Sequence, residues 1–546
     1  MRLPLPLTVP LESLSGRGLG EAMPGTPTFP GVHIREESSG VRTITGVSSS
    51  VTAFLGRASR GPVNDPVTVG SFGEYERVFG GLSAGTPLGY AVRAFFQNGG
   101  GQAIIVRAYK PPTTAKTGKA TLTVGGLRLE ATDPGSWGNG LAASVNRDGI
   151  TDDVAARFGV PGNDLFNLVV TGQGTTERFA NVTVTESPRR VDRVLAQQSR
   201  LVRVTGSLPT SNPAAATPTA AKATADSPAA DAESSADVAV SGGDDGKALG
   251  AGELIGSQDA KSGLYALDRT DLFNLLCIPP DTLDGDVPVS VYQEAMSYCA
   301  TRRAVLLIDP PMTWDPLGGD PASLLNSYTG PEARNAAIYF PRILQPDPLQ
   351  DGAPGAFVSS GAVAGVIART DAQRGIWKAP AGVDAAVAGV SGVAVSLTDA
   401  ENGRLNPLGI NCLRSFPSSG IVVWGARTLR GSDQLADEYK YLPVRRLALH
   451  LEESLYRGCQ WAVFEPNDEP LWSQLRLNVG VFLHDLFRQG AFAGRSPREA
   501  YFVRCDQETT TASDVNSGIV NVVVGFAPLR PAEFVIITIR QSAGQL

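Results

Sequence analysis

Two almost entirely apolar runs flank one helical segment, and this pattern constrains the fold more than any other feature of the sequence. The runs are LFNLLCIPP (272–280) and AVLLIDPP (304–311), and SVYQEAMSYCATRR lies between them. A strand, a helix and a strand in this order form a unit of α/β architecture. Strands of a parallel sheet are buried on both faces, so their sequences are continuously apolar. The sequence therefore predicts a parallel sheet covered by helices, continued by Glu332–Ala337 and AIYFP.

Changes in composition divide the 546 residues into several regions. Six prolines in the first thirty residues oppose regular structure. Short β-rich runs and two helices follow, and the second helix, AVRAFFQ, is predicted to stop at Asn98–Gly101. The predicted regions are an extended N-terminal arm (1–30), an N-terminal region (31–110), a mostly-β domain (111–205), an insertion (206–260), an α/β region (261–400) and a C-terminal α+β domain (401–546).

Two stretches carry little of the apolar surface that a packed core needs. Residues 206–246 contain no aromatic residue and one leucine, so they cannot bury enough surface to offset their ordering entropy. We expect residues 206–260 to be a disordered, acidic insertion that faces solvent. Residues 356–395 are rich in Gly, Ala and Val, and we expect loops and short strands there.

The last 140 or so residues show clear helical periodicity. An apolar stripe at Val444, Leu447, Leu451 and Leu455 predicts an amphipathic helix, with Arg446, His450 and Glu453 on its other face. A second helix is predicted to begin after Asp468, with Pro470 in its first turn, and to end at Gly490. Its core stripe consists of Trp472, Leu475, Val479, Phe482 and Leu486.

Charge, hydropathy and cysteine usage exclude several classes of partner. The net charge is −7, and no block of Lys or Arg offers the basic surface that nucleic acid requires. No run approaches the roughly 18 apolar residues of a membrane-spanning helix. The five cysteines are widely spaced and odd in number, which indicates reduced thiols in a chain assembled in a cytosol.

The sequence offers few groups for catalysis. No phosphate-binding loop, dinucleotide fingerprint or zinc-protease motif is present, so we predict no cofactor, no metal and no catalytic residue. A Ser-His-Asp arrangement requires a histidine base. The three histidines, His33, His450 and His484, are interpreted as solvated or structural. The carboxylate pair Glu452–Glu453 is likewise interpreted as part of a solvated face.

Several stretches in one order resemble a known family. They are PGVHIREESSGVRTITGVSSSVTAFLG near the N-terminus, SGAVAGVIARTDAQRGIWKAPAG at Ser360–Gly382, and WGARTL, YLPVRRLALHLEESL, WAVFEPNDEPLW and VGFAPLRPAEFVIITI in the C-terminal part. These stretches resemble contractile phage tail sheath proteins, including those of tailocins and contractile injection systems. The resemblance covers about half to two thirds of the chain, and it is loose over residues 111–260.

The resemblance implies a structural protein and not an enzyme. Subunits of this family stack as hexameric rings around an inner tube, and contraction of the sheath drives the tube through a target envelope. The implied fold contains a subtilisin-like α/β region, a C-terminal domain with exchanged terminal strands, and a variable outer domain. The implied partners are further copies of the chain, the inner tube protein, and baseplate and terminal cap proteins, with assembly in the bacterial cytoplasm.

The resemblance also implies which residues join subunits. Terminal strands can pair with a neighbour's sheet, because this satisfies their free backbone groups. The implied C-terminal arm (534–546) includes Phe534, Val535, Ile536, Ile537, Thr538 and Ile539, and the implied N-terminal arm includes Val32, His33, Ile34, Arg35 and Glu36. Arg476 and Arg488 are candidate contacts with the inner tube.

Three alternatives remain open at this point. Both terminal strands could complete the sheet of their own domain. The α/β region could carry a hydrolase, although the chain has very few histidines. The chain could also be a non-contractile shell or adhesion protein that uses its outer domain.

Overall fold

The computed structural model describes residues 42–113, 117–215, 242–314, 317, 322–323 and 325–536. The elements below all lie within residues 43–546, whose described part forms one compact unit. The N-terminal arm, with Val32, His33, Ile34, Arg35 and Glu36, lies outside the described residues, and so do Ile537, Thr538 and Ile539.

The described residues contain strands throughout and helices of four to twenty residues. The strands are β1 (Thr52–Gly56), β2 (Val67–Val69), β3 (Ala103–Arg107), β4 (Thr121–Val124), β5 (Leu127–Ala131), β6 (Ala142–Asn146), β7 (Phe166–Gly172), β8 (Thr175–Val182), β9 (Val202–Val204), β10 (Leu275–Cys277), β11 (Val305–Ile308), β12 (Ala336–Phe340), β13 (Ile343–Asp347), β14 (Ala353–Phe357), β15 (Gly392–Val393), β16 (Ile410–Phe416), β17 (Gly420–Val423), β18 (Tyr501–Arg504) and β19 (Val523–Phe526). The helices are α1 (Phe72–Phe79), α2 (Pro87–Gln97), α3 (Asp152–Phe158), α4 (Val191–Gln198), α5 (Ala251–Ile255), α6 (Val289–Thr301), α7 (Ser360–Arg374), α8 (Asp399–Leu405), α9 (Leu442–Gly458), α10 (Glu469–Arg488), α11 (Pro497–Ala500) and α12 (Ala512–Asn516).

A central sheet of eight strands has the order β17-β16-β12-β11-β10-β1-β3-β2. Its inner strands are parallel, whereas β2 and β17 are antiparallel edges. This mixed α/β architecture confirms the predicted parallel sheet. β1, β10 and β16 come from three different predicted regions, yet all three hydrogen-bond within this one sheet, so these regions share one core. Local composition does not record which distant strands pair.

Helices cover both faces of the central sheet. On one face α6 contributes Val291, Ala295 and Cys299 to a core with Leu276 and Leu306. On the other face, α2 and α7 pack over residues of the opposite parity on the same strands, Phe54, Ile105, Leu275, Val305 and Tyr339. This alternation explains why the strand sequences are apolar at every position.

Helix α7 contradicts the prediction of loops and short strands at 356–395. It spans fifteen residues and its first nine are buried. Its small residues allow the backbone of α2 to approach closely: a Cβ at Gly361 would lie 2.2 Å from the Ala91 carbonyl oxygen, and one at Gly365 would lie 2.4 Å from that of Phe95. Glycine and alanine here permit tight helix packing, a role that composition alone does not distinguish from flexibility.

The inserted region has a hydrophobic core of its own. Two three-stranded sheets, β4-β5-β9 and β6-β7-β8, enclose Leu129, Phe166 and Phe179 among other residues. Arg107, fully buried at the end of β3, donates to the carbonyls of Ala58, Gly61 and Pro134 at the junction with this region.

The prediction of disorder over 206–260 is wrong for its described ends. Residues 242–260 include α5 and pack on the body of the protein: the Asp245 carboxylate accepts hydrogen bonds from Ser136, and Lys247 donates its backbone N–H to the Lys110 carbonyl. Polar contacts and the packing of Leu254 into the main core order these residues, and both depend on partners that are distant in the sequence. Residues 216–241 lie outside the described part of the chain.

The C-terminal helices follow their predicted limits. Asp468 caps α10 by accepting the Leu471 N–H at 3.3 Å, and all five predicted core residues of α10 are buried. Of the carboxylate pair that was predicted to be solvated, Glu452 is exposed but Glu453 is buried. Arg446 is 3% exposed and Glu453 is 8% exposed, because other elements supply partners for their charges.

We predict that Gly365→Ala destabilises the fold, because its methyl group must displace the backbone of α2. The expected loss is about 1–3 kcal/mol, measured by thermal or denaturant unfolding. Gly403→Ala is the matched control: Gly403 lies within α8 with nothing within 4 Å of its Cβ position. That variant should be neutral or more stable by up to about 1 kcal/mol. Equal melting of the two variants would contradict the proposed tight contact.

Candidate assembly interface at the C-terminal segment

The described end of the chain is an exposed apolar segment. Phe534, Val535 and Ile536 are 74%, 81% and 88% exposed. None of the three pairs with a strand in the described part of this chain, although they have high β-propensity. Three consecutive apolar residues in water are unfavourable for a monomer and are typical of a surface that another protein covers.

The residue immediately before this segment is fixed to the body of the protein. The guanidinium of Arg427 binds both carboxylate oxygens of Glu533, with 2.7 Å between Nε and Oε1. The Tyr441 hydroxyl donates to the same carboxylate at 3.3 Å. Planar bidentate pairing of this kind fixes orientation as well as distance. We refer to Arg427 and Glu533 as the C-terminal clamp.

Arg427 is itself held by the core. Its side chain is fully buried, and Nη1 donates to the carbonyls of Asn406 and Gly431 and to Asp433 at 2.9, 3.1 and 3.0 Å. Burial alone would lower the pKa of Arg427, but the hydrogen bond and charge of Glu533, with a contribution from Asp433, raise it. The cation is therefore permanent, and Glu533 supplies part of its neutralisation. Sequence reasoning missed this clamp, since WGARTL shows an arginine but not its partner.

A small two-stranded sheet offers free edges in the same C-terminal part of the chain. β18 pairs with β19 alone, so each strand has one unpaired edge among the described residues. The inner face, including Tyr501 and Val524, packs into the core of α9 and α10. On the outer face Phe502 is 49% exposed and lies against Gly525. Such a sheet gains stability when further strands are added.

The two candidate tube contacts differ in environment. Arg476 donates to the Cys505 carbonyl and pairs with Glu469, so it joins α10 to the end of β18. Arg488 lies exposed in the last turn of α10 and has no ion pair among the described residues. Arg488 is therefore the more accessible of the two cations.

Residues 47–49, near the start of the described chain, are also fixed by a buried arginine. Arg446 of α9 forms an ion pair with Asp371 of α7, and the two side chains are 2% and 5% exposed. The Ser49 hydroxyl donates to Asp371 at 2.7 Å, and the Ser49 carbonyl accepts from Arg446 at 2.9 Å. Val47 donates its N–H to the Ser454 hydroxyl. Residues 47–49 are thus held between two core helices.

Half-buried His450 lies beside this ion pair. Burial lowers its pKa to about 4, the Asp371 charge partly opposes that shift, and the Arg446 charge adds to it. The side chain is close to Gly46, where a Cβ would be 3.3 Å from Nε2. His450 is a neutral structural residue at neutral pH, as one of the two sequence interpretations held.

The described residues contain no assembled hydrolase site. His484 contacts the Tyr501 hydroxyl at 3.2 Å, and neither His450 nor His484 has a serine partner among its hydrogen bonds. The buried carboxylate of Asp309 accepts the N–H groups of Ser359 and Ser360 at the start of α7, each at 2.9 Å. Burial raises the pKa of Asp309. Within the described ranges, no three ligating side chains cluster as a metal site and no helix is long and apolar enough to cross a membrane.

Comparisons with known proteins agree on one family. Residues 328–429 match the phage tail sheath protein central domain, and residues 436–542 match the phage tail sheath C-terminal domain. The tail sheath protein of Burkholderia phage BcepMu is 26% identical over 495 residues, which cover 86% of this chain and 90% of that one. The tail sheath protein of Vibrio phage KVP40 is 30% identical over 128 residues, 23% of this chain and 19% of the relative.

Solved structures share the fold. The helical sheath of the anti-feeding prophage in its contracted state has a TM-score of 0.56 and 24% identity, covering 95% of this chain and all of that one. A sheath tail protein from Listeria innocua has a TM-score of 0.58 and 13% identity, with 89% and 96% covered. The chain therefore matches the central and C-terminal domains of phage tail sheath proteins and is similar to tail sheath proteins over most of its length.

We predict that Glu533→Ala loosens the C-terminal clamp without unfolding the protein. Loss of one carboxylate leaves a buried guanidinium partly unsatisfied, which costs about 1–3 kcal/mol locally. Hydrogen exchange should rise in a peptide covering residues 528–536. Glu508→Ala is the control, because Glu508 is exposed and its side chain has no ion pair in the described structure. Unchanged exchange in Glu533→Ala would contradict the clamp.

We predict that His450 makes the fold sensitive to acid. Between pH 6.5 and about 4 the unfolded chain binds a proton at His450 that the folded chain does not, so stability falls as pH falls. The share due to His450 is up to about 3 kcal/mol. His450→Gln should lose less stability than the wild type between pH 7 and pH 4, measured by denaturant unfolding. His484→Gln, which changes an exposed histidine, should follow the wild type; identical slopes for all three proteins would refute this role.

Proposed function

We propose that the chain polymerises as stacked hexameric rings around an inner tube, and that contraction of this sheath drives the tube through a target envelope. The observation that carries the proposal is the exposed apolar segment Phe534–Ile536. This segment directly follows Glu533 of the C-terminal clamp and pairs with none of the described residues of its own chain. The matches to the two tail sheath domains support the proposal.

The segment joins neighbouring subunits by adding a strand to a free edge of the β18–β19 sheet. Backbone hydrogen bonds supply affinity in such an addition, and alternating side chains supply register. The β18–β19 sheet is already formed and one of its faces packs on the core. A third strand can therefore join it without the free-energy cost of forming a new sheet. Residues 32–36 of the N-terminal arm serve as a second linking strand.

A rigid core with terminal segments anchored to it suits a sheath whose subunits move during contraction but stay connected. Domains move as rigid bodies in such transitions, while a few connecting residues absorb the change. The parallel sheet, which we assign to the subtilisin-like α/β region, provides the rigid body, and the C-terminal clamp transmits load to it. The extended state is held by a kinetic barrier, so the energy of contraction is stored in the assembly and no nucleotide is required.

The remaining partners follow from position and charge. Arg488, exposed at the end of α10, is the proposed contact with an acidic patch on the inner tube. Baseplate and cap proteins bind the terminal rings, where arms or edges have no partner of their own kind; the matched structures include an anti-feeding prophage baseplate. The inserted domain with its separate core faces solvent, and assembly takes place in the bacterial cytoplasm.

We predict that a chain ending at Glu533 folds but does not polymerise. Removing residues 534–546 deletes exposed apolar side chains and no described part of the core, so melting should stay within a few degrees of the wild type. Negative-stain electron microscopy, with the tube protein co-expressed, should show tubes only for the wild type. Leu349→Ser, which changes a side chain 50% exposed elsewhere on the surface, should still form tubes. Normal tubes from the truncated chain would overturn the arm assignment.

A further inference from the structure

The loop between α9 and α10 carries an aromatic side chain fully in solvent. Phe464 is 102% exposed and its neighbour Val463 is 62% exposed. The φ of Phe464 is 71°, in the left-handed region that bulky side chains rarely adopt. Glu465 follows, also exposed, and has no ion pair in the described structure. We refer to Val463, Phe464 and Glu465 as the loop tip.

Side-chain hydrogen bonds fix this loop. The Asn467 amide donates to the Ile519 carbonyl at 3.0 Å, and Trp472 Nε1 donates to the Asn467 side-chain oxygen at 2.8 Å. Asp468 caps the helix that begins directly after the loop. A tip held in one conformation loses little entropy on binding, which favours association. The exposed phenylalanine is therefore presented on a rigid support.

A surface cleft of about 350 Å³ offers small apolar side chains and positive charge, which could receive an aromatic side chain followed by a carboxylate. Its lining includes three alanines, Ala379, Ala381 and Ala385, and the charged residues Arg374, Lys378 and Asp384. The described residues place no carboxylate in ion-pair contact with Arg374 or Lys378, and Lys378 Nζ donates to the Ala379 carbonyl at 3.0 Å. The cleft thus combines small apolar side chains with a net positive charge. We refer to it as the alanine cleft.

We propose that the loop tip of one subunit binds in the alanine cleft of a second copy of this chain. Phe464 contacts Ala379 and Ala381, which are partly exposed, and Glu465 lies against Arg374 and Lys378. The match lies in this apolar contact and in the excess of positive charge that faces Glu465. A contact between two different surfaces of identical chains is heterologous, and repeating it builds rings or helical polymers. The proposal rests on the proposed function, because it assigns a second contact within the same polymer.

The test measures polymerisation of full-length variants that retain both arms. Phe464→Ala should raise the protein concentration needed for tube formation about tenfold or more, since aromatic anchors dominate such contacts. Glu465→Lys should do the same through repulsion. Combining Glu465→Lys with Lys378→Glu restores the charge pairing and should recover tubes. Leu349→Ala is the matched control, since it removes another exposed apolar side chain.

The contact between the loop tip and the alanine cleft is contradicted or supported by the following results. Normal polymerisation of Phe464→Ala, with wild-type melting, overturns the contact. Loss of tubes that the Glu465→Lys and Lys378→Glu combination does not recover overturns the assignment to the alanine cleft. Mixing Val463→Cys with Ala381→Cys proteins under oxidation should give a disulfide-linked dimer that neither gives alone. Failure of the wild type itself to form tubes counts against the proposed function and not against this contact.

Discussion

Backbone pairing of β1 between β3 and β10 is the constraint on which the rest of the structure depends. It places a strand from near residue 50 in the middle of a sheet whose other members extend to residue 423. Hydrogen bonds in a sheet are satisfied only when both neighbours are present. The N-terminal region, the α/β region and the first strands of the C-terminal region therefore form one folding unit, and the outer domain is an insertion into it.

Two buried arginines fix the ends of this unit. Arg446, through Asp371, holds the segment at Ser49, and Arg427 holds Glu533 before the exposed segment. A buried ion pair adds little stability by itself, but removing one partner is costly. These pairs therefore specify where the chain leaves the core. This is the property that a polymer needs if terminal segments are to carry load between subunits.

Most elements of the fold could be predicted, and the errors share one cause. Asp468 at the start of α10 and the apolar stripe from Trp472 to Leu486 are local signals, and local signals were sufficient. Helix α7 was missed because Gly361 and Gly365 are read as flexible unless the helix against which they pack is known. Glu453 was assigned to a solvated face because its partner Arg303 is distant in the sequence. In each case the missing information was a partner from another part of the chain.

The sequence by itself determined the class of fold, the limits of α10 and, through several stretches in one order, the resemblance to tail sheath proteins. It also identified Phe534–Ile536 as a strand-like terminal segment. Only the tertiary structure decided that these residues are exposed beyond a clamped glutamate, that β18 and β19 have free edges, and that Phe464 is fully in solvent. Periodicity reports which face of an element is apolar, whereas exposure and ion pairing depend on which distant elements are packed against it.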